Sequence, residues 1–63
     1  MNELPKDFIV FEDGKSPRKI LFNENDGWEL YYLALEDSWE WDDSISEETA
    51  RNWFNRGKVY IPK

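Results

Sequence analysis

The sequence predicts an α+β fold, a small antiparallel sheet of three to five short strands with one packed helix at about residues 47–56. Short runs rich in Phe, Ile, Val, Trp and Tyr alternate with turns that contain Gly and Asn, which is the pattern of hairpin-linked strands. One segment near the carboxyl end instead has the apolar spacing of an amphipathic helix. Because the chain has 63 residues and no linker-like tract, we expect a single domain over residues 1–63.

The first half of the chain contains two strand candidates and two turns. Residues 8–11 and 20–22 are apolar runs of residues that favour strands. Residues 12–17 contain Asp-Gly and Pro, and residues 23–27 end in a second Asp-Gly pair, which readily adopts the positive φ of tight turns. The pattern indicates two strands linked as a hairpin.

The aromatic middle of the chain is compatible with two structures. Over residues 28–35, period two places alternate residues on opposite faces of a strand, whereas period 3.6 gathers aromatic residues in a helical stripe. The aromatic content and the preceding Asp-Gly favour the strand. Residues 39–42 alternate Trp with an acid, which predicts a strand with both indoles on one face. Residues 59–61 predict a final strand.

The helix at residues 47–56 has signals at both ends. Ser46 can cap its start, and Gly57 suits the C′ position just beyond its end. Acids in the first turn and a base in the last turn match the helix dipole. The apolar stripe that we expect to dock on the sheet is Ala50, Trp53 and Phe54.

Composition and motifs argue against several kinds of site. The chain has no Cys and no His, so disulfides and zinc sites built on these ligands are excluded. Aligning Gly14 or Gly27 with the glycine of an EF-hand loop leaves apolar residues at ligand positions. The chain has no Gly-rich phosphate loop and no nucleophile motif, and a chain this short has little room for a substrate pocket. We therefore expect no enzyme activity, no metal and no cofactor.

Charge is concentrated in one segment of the chain. Residues 24–50 carry ten carboxylates and no Lys, Arg or His, and the net charge of the chain is −6. Acids interleaved with Trp and Tyr indicate a folded surface with a strong negative field, although a merely solubilising surface is the alternative. Direct binding to nucleic acid or to an anionic membrane is disfavoured, because both require excess Lys and Arg. The expected partner is a basic protein surface.

Six acids in this segment have no local structural role. Glu24 and Asp26 belong to a turn, and Glu47 and Glu48 suit a helix start. Two adjacent tyrosines also lie here, and on a strand one of them must point away from the core. The candidate partner-binding residues are Glu29, Tyr31, Tyr32, Glu36, Asp37, Glu40, Asp42 and Asp43.

Two further features leave alternatives open. Trp39 and Trp41 either pack in the core against the helix stripe, or one of them is exposed as an interface anchor. The bases that follow the acidic segment either pair with acids of the same chain or bind the acidic patch of another copy, so a homodimer is compatible with the sequence. These bases are Arg51, Arg56 and Lys58.

These observations favour a non-catalytic, acidic binding protein. The expected function is that of an inhibitor, of the DNA-mimic type found in phages and mobile elements, which occupies a basic nucleic-acid-binding surface of a partner such as a nucleic-acid-binding enzyme. The alternatives are an immunity- or antitoxin-like plug of a nuclease active site, and an accessory subunit that binds through aromatic contacts. Since the amino-terminal residues do not have the pattern of a signal peptide, the expected location is the cytoplasm.

Overall fold

The computed structural model describes residues 3–62, so residues 1, 2 and 63 of the predicted domain lie outside the described part. The elements are, in chain order, β1 (Asp7–Phe11), β2 (Arg18–Asn23), β3 (Gly27–Leu33), a 3₁₀ turn (Leu35–Asp37), β4 (Trp39–Ile45), α1 (Glu47–Phe54) and β5 (Lys58–Tyr60). The predicted α+β class, one antiparallel sheet of short strands with one helix, is confirmed.

The five strands form one open sheet in the order β4-β3-β2-β1-β5. Strands β1 to β4 form a meander of antiparallel neighbours, and α1 carries the chain back to place β5 antiparallel to β1. The ambiguous residues 28–35 belong mainly to strand β3, as the aromatic content favoured. Strand β4 begins at Trp39 as predicted but continues to Ile45. Strands β4 and β5 are therefore the two edges of the sheet.

The predicted turns adopt the backbone conformations that their residues favour. Gly14, between β1 and β2, has φ of 75°, and Gly27, which begins β3, has φ of 81°. Next to Gly27, the side-chain oxygen of Asn23 accepts a hydrogen bond of 2.8 Å from the backbone N–H of Asn25, as in an Asx turn. These local contacts fix the β2–β3 hairpin.

The core lies between the sheet and α1. Its buried residues are Phe8, Val10, Ile20, Leu30 and Ala50. The Phe54 ring of the helix meets the Phe8 ring edge-on, with centroids 5.2 Å apart and an interplanar angle of 89°. Such a pair contributes about 0.5–1.5 kcal/mol beyond area burial. The predicted stripe on the helix therefore does face the sheet.

The start of α1 is capped as predicted. The Ser46 hydroxyl accepts a hydrogen bond of 3.1 Å from the backbone N–H of Thr49. The helix ends at Phe54, and the backbone N–H of Asn55 still donates to the carbonyl of Arg51. Within residues 3–62, no helix has both the length and the apolar character needed to cross a membrane.

The predicted role of Gly57 as the C′ residue of the helix is wrong. Asn55 caps the helix two residues earlier, and Gly57 is not among the residues with positive φ. Glycine is required for another reason: a Cβ atom at this position would lie 2.4 Å from the carbonyl oxygen of Phe11. The missing side chain lets the start of β5 approach the end of β1.

Candidate partner-binding site

Edge strand β4 carries most of the candidate acids. It pairs antiparallel with β3 from Trp28–Ile45 to Leu33–Trp39, with a β-bulge that shifts the register between Leu30 and Tyr31. The bulge adds one residue, Asp42, to β4. The predicted alternation over residues 39–42 is present, with Trp39 and Trp41 on one face, and the bulge interrupts it after Asp42.

Arg18 holds the bulge in place from strand β2, on the far side of β3. Its guanidinium forms an ion pair with Asp42, and its Nε donates a hydrogen bond of 3.2 Å to the carbonyl oxygen of Tyr31. The same guanidinium lies 5.3 Å from the ring centroid of Trp53 on the helix. Arg18 thus connects three elements on the helix side of the sheet, and it neutralises one of the six candidate acids.

Four of the remaining candidate acids are exposed and lie together. Among residues 3–62, none of these four is in a salt bridge. Their hydrogen bonds are local: Glu40 accepts from the Ser38 hydroxyl at 3.4 Å, and Asp43 from the backbone N–H of Ser44 at 2.9 Å. We call this group the acidic edge; its members are Glu36, Asp37, Glu40 and Asp43.

The acidic edge begins in a tight loop between β3 and β4. The backbone N–H of Ala34 donates to the carbonyl of Ser38 at 2.8 Å and closes the loop. Inside it, Glu36 and Asp37 have positive φ of 70° and 60°, a conformation that costs a residue with a side chain about 1–2 kcal/mol. The preceding Leu35 is 92% exposed. The loop therefore holds Glu36 and Asp37 in a costly backbone conformation, directly after the exposed side chain of Leu35.

Tyr32 completes this group on the helix side of the sheet. It lies directly opposite Glu40 in the β3–β4 pairing and is 42% exposed. Of the two adjacent tyrosines, it is therefore the exposed ring that the sequence required. Tyr32 and the acidic edge bring five of the eight candidate residues together.

Glu29 and Tyr31 do not belong to this group, because they lie on the other face of β3. Glu29 is only 9% exposed, and its carboxylate accepts a hydrogen bond of 3.1 Å from the Tyr31 hydroxyl. Burial raises the pKa of Tyr31 above its ordinary value of 10.0, and the hydrogen bond to Glu29 and the negative charges of Glu29 and Asp26 raise it further. Glu29 and Tyr31 therefore lie apart from the acidic edge, and the Glu29 carboxylate is mostly buried.

The face of the sheet opposite α1 is also rich in apolar residues. Trp39 and Trp41 pair with Leu33 and Tyr31 on this face, so they do not pack against the helix stripe as the first alternative expected. Trp41 is 52% exposed. We call this surface the helix-free face; its apolar residues are Ile9, Phe11, Leu21, Tyr31, Leu33, Trp39, Trp41 and Tyr60.

Two contributors to the site were missed by reasoning from the sequence. Arg18 was missed because its ion pair spans 24 positions of the chain and depends on the β-bulge. Leu35 was assigned to the strand or the helical stripe, although its position directly before two acids was a signal for a loop. Among residues 3–62, no group of three or more acids could hold a metal ion.

Comparison with known proteins adds no family to this description. No family model matches the chain, and neither a curated protein nor a solved structure matches it.

Proposed function

We propose that this protein is a non-catalytic acidic binding protein whose acidic edge occupies a basic, nucleic-acid-binding surface of a partner protein. One observation carries the proposal: the four carboxylates of the acidic edge are all exposed within residues 36–43 and are in no salt bridge within the described residues. Carboxylates that are exposed and in no salt bridge give up no ion pair when they bind a cationic partner. They also accelerate association with a basic surface.

The geometry of an edge strand suits mimicry of a phosphate backbone. Successive residues on one side of a strand are about 6.6 Å apart, so carboxylates follow one another along the edge as a row of negative charges. Glu40 and Asp43 lie in such a row on either side of the bulge. The loop acids Glu36 and Asp37 extend it beyond the end of the strand. Carboxylates in this arrangement stand in for phosphates.

Apolar contacts would supply the part of the affinity that charge does not. Tyr32 lies opposite Glu40 and exposes 42% of its surface, and Leu35 precedes the loop acids and exposes 92%. Tyrosine at the centre of an interface is a frequent hot spot. The positive φ values of Glu36 and Asp37 support the same proposal, because costly backbone conformations cluster at binding sites.

The test is affinity capture with a matched pair of variants. Glu40→Gln with Asp43→Asn removes two charges from the acidic edge, and Glu24→Gln with Asp26→Asn removes two exposed charges from the β2–β3 turn. Each protein is immobilised at about 50 mM salt, where electrostatic attraction is screened weakly. We expect the wild type and the turn variant to retain the same basic protein from a host lysate. The edge variant is expected to lose it.

The captured protein then decides between the candidate functions. Under the proposal, the chain competes with a fluorescently labelled DNA duplex for that protein, and the edge variant competes at least about tenfold more weakly, a change of about 1.4 kcal/mol. Inhibition of a captured nuclease would identify the immunity-like alternative. Affinity that is unchanged by salt and by the edge variant would refute the electrostatic proposal and leave an accessory subunit.

A further inference from the structure

We infer that a second copy of this chain covers the helix-free face. The two sheets would pack face to face around a two-fold axis that runs parallel to the strands. Strand β4 of each copy then lies over β5 of the other. This interface leaves Tyr32, Glu40 and Asp43 free, because they face the helix side of the sheet, and it shares the loop acids Glu36 and Asp37 with the acidic edge.

The composition of the helix-free face is that of a covered surface. An antiparallel sheet with one solvated face normally alternates apolar residues inside with polar residues outside. Here strand β1 is apolar on both faces, with Phe8 and Val10 buried under the helix and Ile9 and Phe11 on the other side.

The exposed rings of this face lie at both edges of the sheet. Trp41 is 52% exposed on β4, while Phe11 and Tyr60 are 45% and 56% exposed on β1 and β5. Exposed patches that contain Trp, Tyr and Phe mark protein interfaces.

The charges of the two edges favour a second copy as the occupant. Lys58, on β5, pairs with Phe11, is exposed, and is in no salt bridge among residues 3–62. It lies at the same end of the sheet as the loop acids Glu36 and Asp37, which are next to the opposite edge strand, β4. At this end of the sheet, Lys58 on one edge and the loop acids on the other carry opposite charges, so these two positions are complementary.

Only one of the two symmetric stackings uses this complementarity. An axis perpendicular to the strands would place β4 over β4 in the reverse direction, so the loop acids of one copy would lie over the Ser44 end of β4 in the other copy, away from Lys58. An axis parallel to the strands places Lys58 of one copy beside Glu36 and Asp37 of the other, twice by symmetry. It also places Tyr60 over Trp41, since both side chains lie in one cross-strand row with Ile9 and Tyr31.

The centre of the interface contains a charge pair and one further carboxylate. Lys19 lies in the same cross-strand row, near the axis, and its ammonium group is 3.8 Å from the carboxylate of Asp7. Glu29 lies on the same face of β3, where it is 9% exposed and its carboxylate accepts a hydrogen bond from the Tyr31 hydroxyl.

The area of the face sets the strength of the dimer. Five strands about 4.8 Å apart and about five residues long cover roughly 19 by 17 Å, which is small beside the roughly 800 Å² that each partner buries in a standard interface. We therefore expect a weak, reversible dimer, as in small, transient interfaces.

Sedimentation velocity between about 5 μM and 1 mM tests the inference. We expect a monomer–dimer equilibrium in the wild type. Trp41→Gln should raise the dissociation constant at least tenfold, and Lys58→Glu should raise it by a similar factor. Lys6→Glu makes the same charge change at an exposed lysine outside the proposed interface, whose ammonium lies 5.5 Å from the centroid of the Phe22 ring, and should leave the constant unchanged.

A charge swap tests the orientation of the two copies. Combining Lys58→Glu with Asp37→Lys should restore the dissociation constant to within about threefold of the wild type, because the two charges face each other across the interface. Circular dichroism shows whether each variant is folded. If Trp41→Gln is not folded, Tyr60→Ser takes its place.

Two kinds of result would overturn the inference. A monomer throughout the concentration range would mean that the face is not covered by a second copy. A dimer that is insensitive to Trp41→Gln and Lys58→Glu would place its interface elsewhere. The partner-binding proposal is tested separately by the Glu40→Gln, Asp43→Asn variant, whose substitutions lie outside this interface.

Discussion

Replacing Arg18 with methionine tests how the acidic strand is held against the sheet. The guanidinium makes three contacts that methionine cannot: the hydrogen bond to the carbonyl of Tyr31, the ion pair with Asp42, and the contact with the Trp53 ring. Methionine retains most of the aliphatic stem, so the change removes the charge and its hydrogen bonds while keeping apolar volume. We expect a folded but clearly less stable protein.

The size of the loss follows from the three contacts. A hydrogen bond from a charged donor contributes about 1.5 kcal/mol at the lower end of its range. The ion pair is partly exposed, with Arg18 at 25% and Asp42 at 44%, so it adds only about 0.5 kcal/mol. The cation–π contact adds about 0.5 kcal/mol. The total is about 2.5 kcal/mol, a large part of the roughly 3–9 kcal/mol expected for a chain of 63 residues.

Urea denaturation followed by tryptophan fluorescence measures this loss. The matched control is Arg51→Met, because Arg51 is 45% exposed and, among residues 3–62, its one salt bridge is the helical i,i+4 ion pair with Glu47, worth about 0.3–0.5 kcal/mol. A double-mutant cycle with Asp42→Asn isolates the ion pair, which should account for no more than about 0.5–1 kcal/mol. If Arg18→Met costs no more than Arg51→Met, Arg18 does not hold the bulge.

Three further predictions concern the backbone, pH and the helix. Gly57→Ala should lower the free energy of unfolding, measured by urea denaturation, by about 1–3 kcal/mol, because the alanine Cβ would lie 2.4 Å from the Phe11 carbonyl oxygen. An unchanged free energy of unfolding would show that β1 and β5 separate easily. The raised pKa of Tyr31 means that its contribution to stability is complete below pH 10.0 and is lost as the pH rises through the folded-state pKa. The urea midpoint of Tyr31→Phe should therefore fall less than that of the wild type between about pH 9 and 11. An equal fall in the two proteins would show that ionisation of Tyr31 is not the cause. Ser46→Ala should lower stability by about 1 kcal/mol through loss of the bond to Thr49, measured by the thermal midpoint, and Ser46→Asn should restore most of it.

The elements of this fold could be predicted because their signals are local. The Asp-Gly at residues 26–27 sets its turn through φ alone, and Ser46 caps its helix through a bond to a residue three positions away. The ambiguous residues 28–35 were resolved in favour of a strand by aromatic content, and tertiary pairing on both sides of β3 agrees. Where the cause lies within a few residues, the sequence is sufficient.

The site was only partly predictable because its geometry depends on contacts between distant residues. Which acids stay free depends on Arg18, which reaches across β3 to Asp42. The burial of Glu29 could not be predicted, because alternation shows which residues share a face but not how deeply each one is buried. Gly57 was placed correctly near the helix end, but its reason is the approach of Phe11, 46 positions earlier in the chain.

The position of the acids on β4 serves a structural need as well as the proposed binding. A seven-residue edge strand with Trp39 and Trp41 invites pairing with other chains, and charges together with a β-bulge are the usual protection. Protection alone needs the acids on β4, but not the two further acids held at positive φ in the preceding loop. Those loop acids cost stability without guarding any strand. They are therefore the part of the acidic edge that binding explains and edge protection does not.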